Sequence, residues 1–127
     1  MKINITFIGS PLSTQHIYKS TCRGKFPTVY MTKEGKEMKE FYQLSARSQY
    51  KGKVISTECE MKIDLYFKDK RRRDVDNYNK LTLDSLEDIV YEDDKQIKKL
   101  TIEKHIDKEN PRVVIEIICK GLEKKLK

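Results

Sequence analysis

Apolar and polar positions alternate in short, well-separated stretches of this chain. Ile3, Ile5 and Phe7 are interleaved with Asn4 and Thr6, a period of two that predicts a strand, and Gly9-Ser10-Pro11 ends it by turn chemistry. Residues 10–30 keep no period and read as an irregular, polar excursion. From Lys33 to Gln49 the spacing becomes helical, with Met38, Phe41, Tyr42 and Ser45 on one stripe. Thr32 is placed to cap that helix, and Gly35 weakens its first turn. The period of two returns from Cys59 to Phe67, where Cys59, Met61, Ile63, Leu65 and Phe67 alternate with Glu60, Lys62, Asp64 and Tyr66, as a half-buried strand requires. Leu83, Leu86, Ile89 and Val90 then predict a helix over about residues 78–92, capped by Asp76 or Asn77. Two closing strands are expected at about 100–106 and 113–119, turning at Asn110-Pro111, with a frayed tail over 121–127.

Strand, helix, strand, helix, strand, strand is the order of an α+β fold, here a single domain over residues 1–127 in which a mostly antiparallel or mixed sheet is covered by two helices. A chain of 127 residues buries roughly 65% of its unfolded surface around one core. Lys and Arg number 27 against 20 Asp and Glu, a net charge of +7 that favours a polyanionic partner, nucleic acid before membrane. Cys22, Cys59 and Cys119 are odd in number and widely spaced, so neither a metal clip nor a disulfide framework is expected, and Cys59 and Cys119 read as core thiols. With no apolar run of signal or membrane-spanning length, the expected location is the cytoplasm.

The chemistry concentrates in KDKRRRDVDNYNK, Lys68 to Lys80, where a run of bases gives way within one residue to Asp74-Val75-Asp76-Asn77. If the backbone is extended there, Asp74 and Asp76 project to one side about 6.6–6.8 Å apart along the chain. Two carboxylates so placed repel, and a hard divalent cation relieves the repulsion. A third carboxylate is on offer in Tyr91-Glu92-Asp93-Asp94-Lys95-Gln96, and Lys80, one turn into the predicted helix, can aim its ammonium at the same point. Each piece also has a plainer explanation: Asp-x-Asp-Asn caps helices, and acidic or basic runs form solvated surface. Other Asp-x-Asp chemistries fail on context. A calcium loop opening at Asp74 would need oxygen, Gly and Glu where the chain has Tyr78, Asn79 and Ser85. A phosphatase strand would run directly into Asp74, but Arg71 to Arg73 intervene. His16 and His105 are isolated and read as structural or surface residues.

Arg72-Arg73-Asp74-Val75-Asp76-Asn77-Tyr78-Asn79-Lys80, then Leu83-Asp84-Ser85-Leu86, then Asp93-Asp94-Lys95-Gln96, resembles the signature of the RusA family of Holliday junction resolvases. That signature is a base-rich strand end, Asp-x-Asp-Asn-x-x-Lys, a helix with Leu-Asp-x-Leu, and a closing Asp-Asp-x-Gln. The resemblance implies a small homodimeric endonuclease, dependent on Mg²⁺ with Mn²⁺ as a substitute, that nicks opposing strands of a four-way DNA junction in the cytoplasm of a bacterium, often encoded by a phage. It makes Asp74, Asp76 and Asp94 the metal ligands, with Asp93 the alternative to Asp94, and Lys80 the catalytic lysine. Lys68, Lys70, Arg71, Arg72 and Arg73 are expected to hold the DNA backbone. Where relatives show Pro-x-Ser-x-Asn near the N-terminus, this chain has Pro11-Leu12-Ser13-Thr14-Gln15. The rival readings are a non-catalytic nucleic-acid-binding module with the same basic patch, and a nuclease for other branched DNA.

Overall fold

A computed structural model describes residues 1–13, 18–23 and 26–120; the side chains of residues 19–23, 26–28 and 76 lie outside the description, as do residues 121–127 and the frayed tail expected there. The elements are β1 (Lys2–Ile8), β2 (Tyr18–Arg23), β3 (Phe26–Met31), α1 (Lys33–Gln49), β4 (Cys59–Phe67), a 3-10 turn (Val75–Asn77), α2 (Lys80–Leu86), a second 3-10 turn (Asp94–Gln96), β5 (Ile97–Ile106) and β6 (Arg112–Cys119). Four strands form one sheet in the order β1-β6-β4-β5. β6 runs antiparallel to β1 and β4, whereas β4 and β5 are parallel and are joined by the crossover that carries α2. The fold is α+β with a mixed sheet, as expected. No helix among the described residues is long and apolar enough to cross a membrane.

The period-of-two residues all point to one face. Ile5, Phe7, Ile63, Leu65, Ile115 and Ile117 are at or near zero exposure there, and α1 and α2 bring their own apolar residues onto the same core. α1 has the expected bounds and cap, with the Gly35 N–H donating to Thr32 Oγ1 at 3.1 Å. Its buried stripe, however, is Gly35, Tyr42 and Ala46, while Phe41 is 43% exposed. Tyr42 stacks on Phe7 of β1 at 4.0 Å, and that pairing rotates the helix so that Phe41 faces outward. At the end of α1 the Gln49 amide accepts from the Thr6 N–H at 2.8 Å and donates to the Thr6 carbonyl at 2.7 Å, as a neighbouring strand would. Gly9, with φ +110°, turns the chain out of β1 in a conformation that a side chain would strain.

Three expectations are corrected. The irregular excursion over residues 10–30 contains the β2–β3 hairpin, a separate two-stranded sheet. The helix expected over 78–92 is only Lys80–Leu86: Glu87 turns extended, Asp88 takes φ 63°, and its N–H donates to the Tyr91 carbonyl at 2.7 Å. Ile89, Val90 and Tyr91 are consecutive and all buried, which one helix face cannot achieve and a tight loop can. Finally, Cys59 and Cys119 are not separate thiols. Antiparallel register sets them directly opposite one another on β4 and β6, and they are joined as a disulfide.

The loop after α2 is tied to the chain before β4. Ile55 N–H donates to the Val90 carbonyl and Gln96 supplies the rest: its Oε1 accepts from the Glu92 and Asp93 N–H groups, each at 2.9 Å, and its Nε2 donates to the carbonyls of Ile55 at 2.8 Å and Thr57 at 2.9 Å. Gln96→Leu keeps the bulk and leaves four backbone groups without this partner. Thermal denaturation should show a loss of about 2 kcal/mol, or about 7 °C in Tm for a domain of this size; an unchanged Tm would show that water replaces the amide at no cost.

Candidate active site

The basic run leaves β4 at Phe67, and Arg73 turns back on it. Its guanidinium lies 4.4 Å above the Phe67 ring, pairs with Asp69 Oδ1 at 2.8 Å, and donates to the Asp69 and Arg71 carbonyls at 3.2 and 3.3 Å. Those bonds from Arg73, with the Arg71 backbone N–H, hold the Asp69 carboxyl below its ordinary range. Lys104 of β5 donates to the Arg73 carbonyl at 2.7 Å and fixes the loop from the other side. Arg73 is therefore a structural cation of the loop. Lys68, Lys70 and Arg72 are exposed and, among the described residues, make no ion pair; Arg71 reaches Asp69 at 3.7 Å while remaining 81% exposed.

Asp74 follows in extended backbone, but the strand-like geometry ends with it, because Val75–Asn77 is a 3-10 turn. The condition for Asp74 and Asp76 to project to one side, an extended backbone through both, is therefore not met. Asp74 is exposed at the head of the turn, and the Asp76 side chain lies outside the described residues. The turn leads through Tyr78, whose ring meets Phe67 edge-on at 5.2 Å, into α2 at Lys80.

α2 carries Lys80 and Asp84 one turn apart. Lys80 Nζ is 3.4 Å from Asp84 Oδ2. The Tyr18 hydroxyl of β2 donates to the same oxygen at 2.7 Å, and the Tyr18 ring lies 4.8 Å from the Lys80 ammonium. Burial, then the bond to Asp84 and its charge, push the Tyr18 hydroxyl well above its ordinary pKa, so it stays a donor. Asp84, Glu87 and Asp94 then form a group in which one carboxylate oxygen from each lies within 4.8 Å of the others. Burial, and after it repulsion from Asp94, Asp84 and Asp93, raise the Glu87 pKa, although the Asp94 backbone N–H bonds it. The Asp94 carboxyl is likewise raised, by burial and then by Asp93 and Asp84, with the Lys80 charge opposing. Asp94 itself faces solvent, which screens part of this crowding.

Asp93 and Asp94 have different tasks. Asp93 caps the second 3-10 turn by accepting from the Lys95 N–H at 2.9 Å, and Gln96 reaches back to complete a capping box. The Lys95 N–H, then the contact with Asp94, hold the Asp93 pKa below its ordinary value. Of the expected site residues, the structure thus brings Lys80 and Asp94 together and leaves Asp74 outside that group. Sequence reasoning had named Asp84 within the Leu-Asp-x-Leu motif without giving it a role, and had assigned none to Glu87 or Tyr18. The first two were findable, since Lys80, Asp84 and Glu87 follow four- and three-residue helical spacing; Tyr18 reaches the site only through the tertiary fold.

Three crowded carboxylates, two with raised pKa, form an all-oxygen donor set that suits Mg²⁺ or Mn²⁺ better than a softer metal. Without a cation their repulsion costs stability. A raised pKa means that the folded chain holds its proton more tightly than the unfolded chain. The carboxyl therefore favours folding below the ordinary carboxylate range and opposes it once pH rises through the raised value. Glu87→Gln should raise the metal-free Tm at pH 7 by about 2 °C, equivalent to about 0.5 kcal/mol after solvent screening. The gain should vanish at pH 4 and shrink when Mg²⁺ is added; a variant less stable than the parent in chelator at pH 7 would contradict the repulsion.

A search of curated proteins finds no relative that matches. The family model for endodeoxyribonuclease RusA matches residues 9–118, which takes in the hairpin, both helices, the basic loop, both 3-10 turns and three of the four strands of the sheet, β1 lying before it. The chain belongs to the RusA endodeoxyribonuclease family.

Proposed function

We propose that this nuclease resolves four-way DNA junctions by Mg²⁺-dependent hydrolysis, nicking two opposing strands as a homodimer. The observation that carries the reading is the convergence of Lys80, Asp84, Glu87 and Asp94 within the part of the chain that the nuclease family covers. Asp94 belongs both to this group and to the ligand set implied by the sequence motif, whose other members, Asp74 and Asp76, lie in and just before the turn that feeds α2.

In this reading Asp74, Asp76 and Asp94 hold the metal, and Asp84 and Glu87, which crowd Asp94, add negative charge beside it. When bound, Mg²⁺ supplies charge neutralisation at the scissile phosphate and an acidified water. Lys80 keeps a cation beside the carboxylates, tethered by Asp84, where it stabilises negative charge developing on the phosphate or orients the attacking water. Lys68, Lys70, Arg71 and Arg72 hold the DNA backbone, and Arg73 shapes their loop. The protein works in the bacterial cytoplasm beside its substrate.

Asp76→Asn and Asp94→Asn should each abolish cleavage of a synthetic four-way junction in Mg²⁺ while leaving binding unchanged or tighter, since each removes a ligand and a negative charge near phosphate. Wild-type rates from either variant would remove it from the ligand set. Fork and linear duplex, with and without Mg²⁺, belong in the same assay: equal cutting of forks would favour a broader branched-DNA nuclease, and binding without cutting a non-catalytic module.

Arg72 and Arg73 should separate by phenotype. Arg72→Ala should weaken DNA binding across sequences and flatten its salt dependence by up to about 0.9 for each phosphate that is no longer neutralised, with Tm unchanged. Arg73→Ala should lower stability by about 1 kcal/mol, because the Phe67 ring and the Asp69 carboxylate then have no guanidinium beside them. The reverse assignment of the two effects would overturn the division of the loop.

Paired nicks need two active sites related by a two-fold axis, and each chain has one. Light scattering at micromolar concentration should give twice the chain mass of 15.1 kDa. A strict monomer that cuts both strands in one binding event would refute the dimer.

A further inference from the structure

Tyr18 opens β2, far in sequence from the acidic group, yet it touches both members of the Lys80–Asp84 pair. Its hydroxyl and the Lys80 ammonium converge on one oxygen, Asp84 Oδ2, at 2.7 and 3.4 Å, and the ammonium lies 4.8 Å from the centre of the Tyr18 ring. That is within the roughly 6 Å over which an aromatic ring attracts a cation. Lys80 is 51% exposed on that side chain and ends a flexible four-carbon stem. Asp84 alone could hold it in several rotamers; a ring beside the ammonium and a phenol fixing the carboxylate reduce that freedom. The hairpin thereby bears on the site through Tyr18.

We propose that Tyr18 is a positioning residue for the nuclease reaction: it orients Lys80 through its ring and Asp84 through its hydroxyl, and so couples the β2–β3 hairpin to the catalytic lysine. The proposal rests on the reading of Lys80 as catalytic. The two contacts are separable, because Tyr18→Phe keeps the ring and loses the bond to Asp84, whereas Tyr18→Leu loses both. A positioning residue lowers the rate at saturating junction and leaves junction affinity alone, and its effect disappears when the residue it positions is gone.

The experiment is single-turnover cleavage of a four-way junction by wild type, Tyr18→Phe, Tyr18→Leu, Lys80→Ala and the double variant Tyr18→Leu/Lys80→Ala, with junction Kd and Tm measured alongside. The saturated rate should fall about threefold in Tyr18→Phe and about tenfold or more in Tyr18→Leu, with Kd unchanged, and the double variant should match Lys80→Ala. A structural role predicts the same loss from Tyr18→Leu in both backgrounds, and that result, or wild-type rates from Tyr18→Leu, would overturn the proposal. Should Lys80→Ala itself cut at the wild-type rate, the reading of Lys80 falls first and the proposal with it, a distinct outcome. If Lys80→Ala is too slow to follow, NMR of the Lys80 side chain decides: ring-shifted ε-methylene signals should persist in Tyr18→Phe and collapse in Tyr18→Leu, and their absence from wild type would refute the contact.

Discussion

One side-chain amide holds the acidic end of the molecule together. The chain leaves α2 after only seven residues and must pass three buried residues, turn, and enter β5 beside β4 in a fixed parallel register. Gln96 satisfies that passage on both sides at once, accepting from Glu92 and Asp93 and donating to Ile55 and Thr57. Without the amide, the bond from the Glu92 N–H to the Ile55 carbonyl at 3.3 Å is the one that these four groups would still make with each other. The position of Asp94 follows from this anchorage, since it sits between the residue that caps the turn and the residue that pins it. The closing Asp-Asp-x-Gln of the motif is thus a capping residue, a member of the acidic group and an anchor, three tasks in four residues.

Around that anchor the charges are set against one another. Asp84, Glu87 and Asp94 crowd together, and the only cation held among them by a described contact is Lys80. A protein selected for stability alone would separate such carboxylates or neutralise them. Keeping them close, with burial and repulsion raising two of their pKa values, preserves an unmet demand for positive charge. The rest of the net charge of +7 lies elsewhere, in part on the loop after β4, where Arg73 stiffens the backbone and its neighbours face solvent.

What was legible in the sequence depended on whether a local period decided the outcome. β4 and α1 have their expected bounds because alternation in one and helical spacing with a Thr cap in the other admit few alternatives. α2 was overestimated because Ile89 and Val90 fit a helical stripe, while Tyr91 beside them, buried with its hydroxyl on the Leu83 carbonyl, demands a loop. The β2–β3 hairpin left no apolar alternation to find, being a two-stranded ribbon outside the main sheet. The pairing of Cys59 with Cys119 rests on the register between two strands 60 residues apart, which no spacing rule contains. At the site, Lys80, Asp84 and Asp94 were legible as parts of a motif and Glu87 shares the helical spacing of the first two, but their convergence was not legible, since it depends on the turn that folds Asp94 back onto α2.

The amide of Gln49, bound to both backbone groups of Thr6, occupies part of the free edge of β1. At the opposite margin of the sheet, β5 presents Lys98, Lys99 and Lys104, all exposed. A foreign strand adding to either margin would have to displace a bonded glutamine or bury lysines among its own hydrogen bonds. Both margins of the main sheet therefore oppose growth by strand addition, the route by which small sheet proteins join into ribbons and aggregates. The edges of the main sheet thus favour partners that meet the domain through a face or a loop, and so impose a geometry on its company beside that imposed by its charges.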